Sequence, residues 1–107
     1  MKSRIIILQD AEDDIFEVYK YVLENDSKQS AAYVYDQIRG EINSLQEQPE
    51  RGHYPPELER IGVTGFLEIH FKPYRIIYEI DGRDVFIHAV LDGRRDLQSL
   101  LERRTFR

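Results

Sequence analysis

Hydrophobic periodicity changes once along this chain, near Pro49, and the change decides which elements can form on either side. Before it, apolar residues recur at three- and four-residue steps: Ala11, Ile15, Val18, Tyr19 and Val22, then Ala31, Val34, Tyr35, Ile38, Ile42 and Leu45. Such spacing places one apolar stripe on each of two helices. After it, Phe66–Phe71, Tyr74–Ile80 and Val85–Leu91 are aromatic and β-branched runs of strand length. Helices and strands are segregated rather than alternating, which predicts an α+β domain instead of a parallel α/β sheet.

The connections sharpen this. Ile5-Ile6-Ile7-Leu8 is a continuous β-branched run, expected as a central strand or one lying under helices. Asp10 is placed to cap the first helix, with Glu12, Asp13 and Asp14 at its positive end. Asn25-Asp26-Ser27 interrupts the helical pattern and Pro49 ends it, so the two helices form an αα-hairpin. From Pro49 to Gly65 the chain reads as one ordered loop with a brief turn at Glu57–Arg60. Lys72-Pro73 and Asp81-Gly82-Arg83-Asp84 then separate the three strands of a meander, the second through a hairpin turn. Leu97, Leu100 and Leu101 mark a short amphipathic helix that lies on the sheet. The expected order is β-α-α-β-β-β-α, with the N-terminal helical hairpin packed on a mostly antiparallel four-stranded sheet. The other face is expected to stay partly open and concave, a natural place for a partner.

With 107 residues the chain is expected to form a single domain over 1–107, burying roughly two-thirds of its unfolded surface. The absence of cysteine excludes disulfides, thiolate catalysis and cysteine-ligated zinc. No run approaches the ~20 apolar residues of a membrane span, and no secretory leader is evident, so a cytoplasmic home is expected. The net charge of −5 is unevenly placed: residues 1–59 carry thirteen acidic and six basic side chains, residues 60–107 seven and nine. Arg94, Arg95, Arg103, Arg104 and Arg107 form a C-terminal basic segment. It is either a solvated helix end or a surface that faces a target.

By the period-two rule Arg75 and Glu79 share one side of their strand, and Glu68 and His70 one side of theirs. Were these sides to coincide, an imidazole, a guanidinium and two carboxylates would meet, with His88 nearby. That kit suits phosphodiester cleavage, in which His or Glu moves protons and Arg stabilises charge. Equally, such pairs simply decorate sheet faces. The three histidines show no metal-ligand spacing, so no metal is expected. His88, between Ile87 and Ala89, reads as a half-buried, hydrogen-bonded side chain. No Gly-x-Ser-x-Gly elbow or Gly-rich phosphate loop is present, and no cofactor is expected.

Four phrases together resemble the RelE/ParE superfamily of bacterial toxins: Asp10-Ala11-Glu12-Asp13-Asp14-Ile15, Leu45 through Pro49 to Gly52, Tyr74-Arg75-Ile76-Ile77-Tyr78, and Val90-Leu91-Asp92-Gly93-Arg94-Arg95-Asp96 before a Leu-rich helix. The resemblance implies a toxin–antitoxin, or plasmid stabilisation, system. Its partner would be a cognate antitoxin with a DNA-binding domain and a disordered tail that folds on the toxin, in a hetero-oligomer. ParE-like members inhibit DNA gyrase, whereas RelE-like members cut mRNA on the ribosome.

On the superfamily pattern, Phe66 and Glu68 stand where the mRNA-cutting members carry lysines, and no tyrosine follows Tyr78. Only Arg75 and one of Arg94 and Arg95 match the nuclease set. The ParE-like branch is therefore favoured, with Arg75, Arg94, Arg95, Arg103 and Arg104 as the expected target-binding residues. The alternatives are a RelE-like endoribonuclease using Arg75, Arg94 or Arg95 with His70 or His88, and a degenerate toxin kept only as a binding partner. Neutralising Arg94, Arg95, Arg103 and Arg104 together is expected to abolish growth arrest and leave folding nearly intact.

Overall fold

The computed structural model describes residues 2–93 and 95–105. Strand β1 (Arg4–Ile7) leads into α1 (Gln9–Asn25) and α2 (Lys28–Ser44); a 3-10 turn (Pro49–Arg51) and the one-turn helix α3 (Pro56–Glu59) follow. Strands β2 (Phe66–Phe71), β3 (Tyr74–Asp81) and β4 (Asp84–Asp92) then form the meander, and α4 (Leu97–Thr105) closes the order. The sheet runs β1-β4-β3-β2, with β1 parallel to β4 and the other pairs antiparallel. This is the α+β architecture that the periodicities predict.

Each helix boundary has a local cause. Ser27 caps α2, its Oγ accepting the Ser30 N–H at 3.0 Å. Asp10, by contrast, is not the cap of α1. Leu8 holds that position in extended conformation without a side-chain bond, and Asp10 lies in the first turn. The short link from β1 decides this: the Leu8 N–H still donates to Ile87 O in the sheet while its carbonyl already accepts from Glu12 N–H. Arg39 on α2 reaches Glu12 on α1 at 3.1 Å, and Tyr19 meets Tyr35 edge-on at 6.1 Å, closing the hairpin.

Two apolar clusters lie on opposite faces of the sheet. The larger joins Ala11, Ile15, Ile38, Ile42 and Leu45 of the hairpin region to Ile69, Ile76, Tyr78, Val85, Ile87 and Val90. The smaller joins Leu58, Leu97, Leu100 and Leu101 to Ile77, Ala89 and Leu91. The leucines thus seat α4 on the sheet as their spacing predicts. They also cover much of the face expected to stay open, and what remains accessible is its β2–β3 end. The run at Ile5–Ile7 is an edge strand, not a central one, and is only half-buried. Hydrogen-bonded on one side alone, it places Ile5 and Ile7 against the hairpin core and leaves its other flank outside the ladder.

Between Pro49 and Gly65 the loop is pinned at two points. His53 and Glu68 exchange backbone hydrogen bonds of 3.1 and 2.8 Å, adding a short antiparallel bridge beside β2. The buried Tyr78 hydroxyl donates to Pro49 O at 2.7 Å and accepts from the Gly52 N–H at 3.1 Å. A Cβ on Gly52 would lie 2.5 Å from that hydroxyl and 2.8 Å from Glu68 O, so this close approach requires glycine.

Candidate functional site

Antiparallel register brings the two polar strand sides together. His70 pairs with Arg75, Glu68 with Ile77 and Phe66 with Glu79, which places Glu68, His70, Arg75 and Glu79 on the face that carries α4. Arg75 Nε donates to Glu68 Oε2 at 2.6 Å, and its two terminal nitrogens donate to Glu57 Oε2 and Oε1 at 2.7 and 2.8 Å. Glu57 comes from α3, whose Leu58 is anchored in the smaller core cluster. Hydrogen bonding to Glu57 pushes the Arg75 pKa up against the opposing effect of burial, with Glu68 adding to the rise. Conversely, the Arg75 guanidinium holds the Glu57 carboxyl below the usual carboxylate range. Glu68 and Arg75 are both buried.

The guanidinium is therefore committed on its Nε side and bidentately on its other edge, to two carboxylates at once. A phosphate oxygen would have to displace a carboxylate to reach it.

A β-bulge between Ile77 and Tyr78 sets the position of His88. Ala89 pairs with Ile77 and Ile87 with Tyr78, leaving His88 as the extra residue. Its Nε2 lies 2.6 Å from Glu79 Oε1, and its ring meets Phe66 edge-on at 5.2 Å. The half-buried, hydrogen-bonded reading of His88 describes this arrangement. It shares a pocket with Leu8, Asp10, Phe66, Glu79 and Arg104, separate from the pocket lined by His70 and Arg75.

The expected arginine surface is divided. Arg94 lies outside the described residues, and Arg75 is buried between its carboxylates. Arg104 turns inward, its NH1 and NH2 donating to Asp14 Oδ2 and Oδ1 at 2.7 and 2.8 Å and its NH1 to His88 O at 3.3 Å. Arg95 and Arg103 are exposed, Arg95 lining a cleft with Asp14, Glu17, Tyr21, Tyr74 and Asp92. Neutralising the C-terminal arginines as a set therefore touches the fold through Arg104, contrary to the expectation that it leaves folding nearly intact. From the end of α4 the long Arg104 side chain reaches two acids of α1, Asp10 at 3.8 Å and the buried Asp14 at 2.7 Å.

Residues absent from the sequence-based candidates complete both constellations. Asp14 reads as a helix-dipole acid, yet it is buried and also accepts the Val90 N–H at 3.0 Å. Glu57 sits in the irregular loop, where no period predicts a partner. His53 likewise reaches the site only through the backbone bridge to Glu68. Its Nε2 lies 3.3 Å from Glu68 Oε1, while His70 Nε2 lies 3.5 Å from Glu68 Oε2. The donor atoms of His53, Glu68 and His70 all fall within 4.8 Å of one another, a set compatible with a metal ion. Sequence spacing does not show this grouping, because it is blind to a loop folding back beside its own strand.

A mixed sheet with a helical hairpin on one face and a short C-terminal helix on the other is the architecture of small toxins of toxin–antitoxin systems, and the comparisons place the chain among them. Residues 5–97 match the family described as ParE toxin of type II toxin–antitoxin system, parDE. The chain belongs to this ParE toxin family. Toxin ParE3 of Caulobacter vibrioides is 29% identical over 103 residues, covering 96% of this chain and 99% of the relative. A chain of the chromosomal ParDE TA system from P. aeruginosa superposes with a TM-score of 0.71 at 15% identity, over 85% of this chain and 96% of that one. A chain of the toxin–antitoxin complex RelBE2 from Mycobacterium tuberculosis follows at 0.57 and 19%, over 86% and 99%. Among the described residues no helix is long and apolar enough to cross a membrane.

Proposed function

We propose that this chain is a toxin that acts by binding a protein target, DNA gyrase by analogy with its family, and not by cutting RNA. The observation that carries this reading is the double carboxylate clamp on Arg75. A nuclease needs cations free to stabilise a charged phosphorane. Here the one matching arginine of the sheet is neutralised, and Phe66 and Glu68 occupy the neighbouring positions where the mRNA-cutting members carry lysines. Negative net charge also disfavours insertion into ribosomal RNA. Arg95 and Arg103, both exposed, are the described arginines of the C-terminal segment best placed to meet a target.

The cognate antitoxin belongs to the same proposal, as does a cytoplasmic site of action. Phe16, Tyr21, Leu23, Tyr33 and Tyr35 of the helical hairpin and Tyr54, Ile61 and Val63 of the loop are large apolar side chains left exposed. Surface of that kind suits a tail that folds on binding and covers it, at an ordering cost of roughly 2–5 kcal/mol. The test is purified protein in a gyrase supercoiling assay, alongside mapping of 5′ ends on ribosome-bound mRNA after expression without the antitoxin. Inhibited supercoiling with intact mRNA is expected. Normal supercoiling with prompt cleavage of ribosome-bound mRNA would overturn the proposal in favour of the endonuclease reading.

A further inference from the structure

The geometry points to a binding site for a borderline divalent transition-metal ion of the zinc class, formed by His53 Nε2, Glu68 Oε1 or Oε2 and His70 Nε2 at the β2 edge. Three observations converge. The first is distance: two ligand atoms bonded at 2.0–2.1 Å to one tetrahedral ion stand about 3.3 Å apart. The two His–Glu68 separations are 3.3 and 3.5 Å, with the imidazole centroids 5.3 Å apart and the rings tilted by 34°. The two contacts are to different oxygens of Glu68 and all three donors lie within 4.8 Å of one another, so small side-chain rotations would close them on one ion.

The second is charge. Glu57 and Glu68 both contact Arg75, so two carboxylates share one guanidinium. One guanidinium against two carboxylates leaves the cluster with an excess negative charge, and its almost fully buried member Glu68 faces two imidazoles. Buried charge calls for a counter-charge. A dication held by both histidines and by Glu68 Oε1, the carboxylate oxygen that Arg75 Nε does not bond, supplies it.

The third is rigidity. His70 lies two residues from Glu68 on the same strand face, and His53 is fixed opposite Glu68 by the pair of backbone hydrogen bonds. Both histidines are partly exposed, so an ion can enter from solvent and keep an open position for water. Two imidazoles and one carboxylate select zinc-like ions over magnesium or calcium, which demand oxygen-rich shells. Bound metal would add a coordinate link between the Pro49–Gly65 loop and the sheet. This site is independent of the target identity proposed above.

The test is titration of the tag-free protein with Zn2+ in competition with a chromophoric chelator, repeated on His53→Gln, His70→Gln and His88→Gln. The wild type should take up a single equivalent and gain thermal stability from it. His53→Gln and His70→Gln should each bind at least about tenfold more weakly, and His88→Gln should bind as the wild type does. Metal-free thermal unfolding checks that each variant is folded, which is expected because both imidazoles are partly exposed. In the Co2+-loaded protein, two imidazole N–H proton signals should be paramagnetically shifted, one lost in each histidine variant. Absence of saturable Zn2+ uptake, or uptake unchanged in both variants, would overturn the assignment.

Discussion

Replacing Arg104 by alanine should destabilise the domain far more than replacing its neighbour Arg103, although both read as basic residues at a helix end. The Arg104 side chain is 16% exposed and its partner Asp14 10%, and two hydrogen bonds of 2.7 and 2.8 Å join them. A solvent-exposed ion pair contributes about 0–1 kcal/mol, whereas breaking a buried one costs about 3–5. This pair is mostly but not fully withdrawn from water, so about 2–3 kcal/mol is expected. Asp14 would keep the Val90 N–H as a donor but lose the charge of Arg104. For a domain of this size that loss corresponds to a drop of roughly 10–20 °C in thermal midpoint. Arg103→Ala, at an exposed position, should stay within about 0.5 kcal/mol of wild type. Circular dichroism of both variants in thermal and urea unfolding measures the difference. An Asp14→Ala/Arg104→Ala cycle should show the double variant less destabilised than the sum of the singles. If Arg104→Ala melts with Arg103→Ala, the inward ion pair contributes nothing and the reasoning fails.

Leu97→Ala, which truncates a fully buried side chain of the smaller core cluster, should cost about 2–5 kcal/mol by urea unfolding; a value near that of a surface substitution would mean α4 is not seated on the sheet. Arg75 lowers the folded-state pKa of Glu57, so the ion pair contributes stability above the unfolded carboxylate range and loses it as pH falls through the lower folded value. The stability gap between wild type and Glu57→Gln should therefore be open at neutral pH and close below about pH 4; a gap that widens on acidification would contradict the assignment.

Much of the fold was legible from local pattern alone. The 3.6-residue period of Ala31 to Leu45, the Ser27 break, the Asp-Gly turn before β4 and the leucine spacing of α4 are determined within a few residues of chain. They therefore survive as read. Period two likewise placed Glu68 and His70 on one side of a strand, and Arg75 and Glu79 on one side of the next.

Tertiary structure alone decided how these local pieces meet. The edge position of β1 follows from its parallel pairing with β4, some eighty residues away along the chain, which no local pattern encodes. The same is true of the charges. Whether Arg75 is a free cation depends on Glu57 in an aperiodic loop, and whether Arg104 is a surface arginine depends on Asp14 at the far end of the sequence. His53 joins Glu68 and His70 only because a backbone bridge folds the loop beside β2. Periodicity reports which face a side chain occupies. Electrostatic interactions fall off with distance in space, so the partner that fixes a charge's role is known only once the chain has brought the two together.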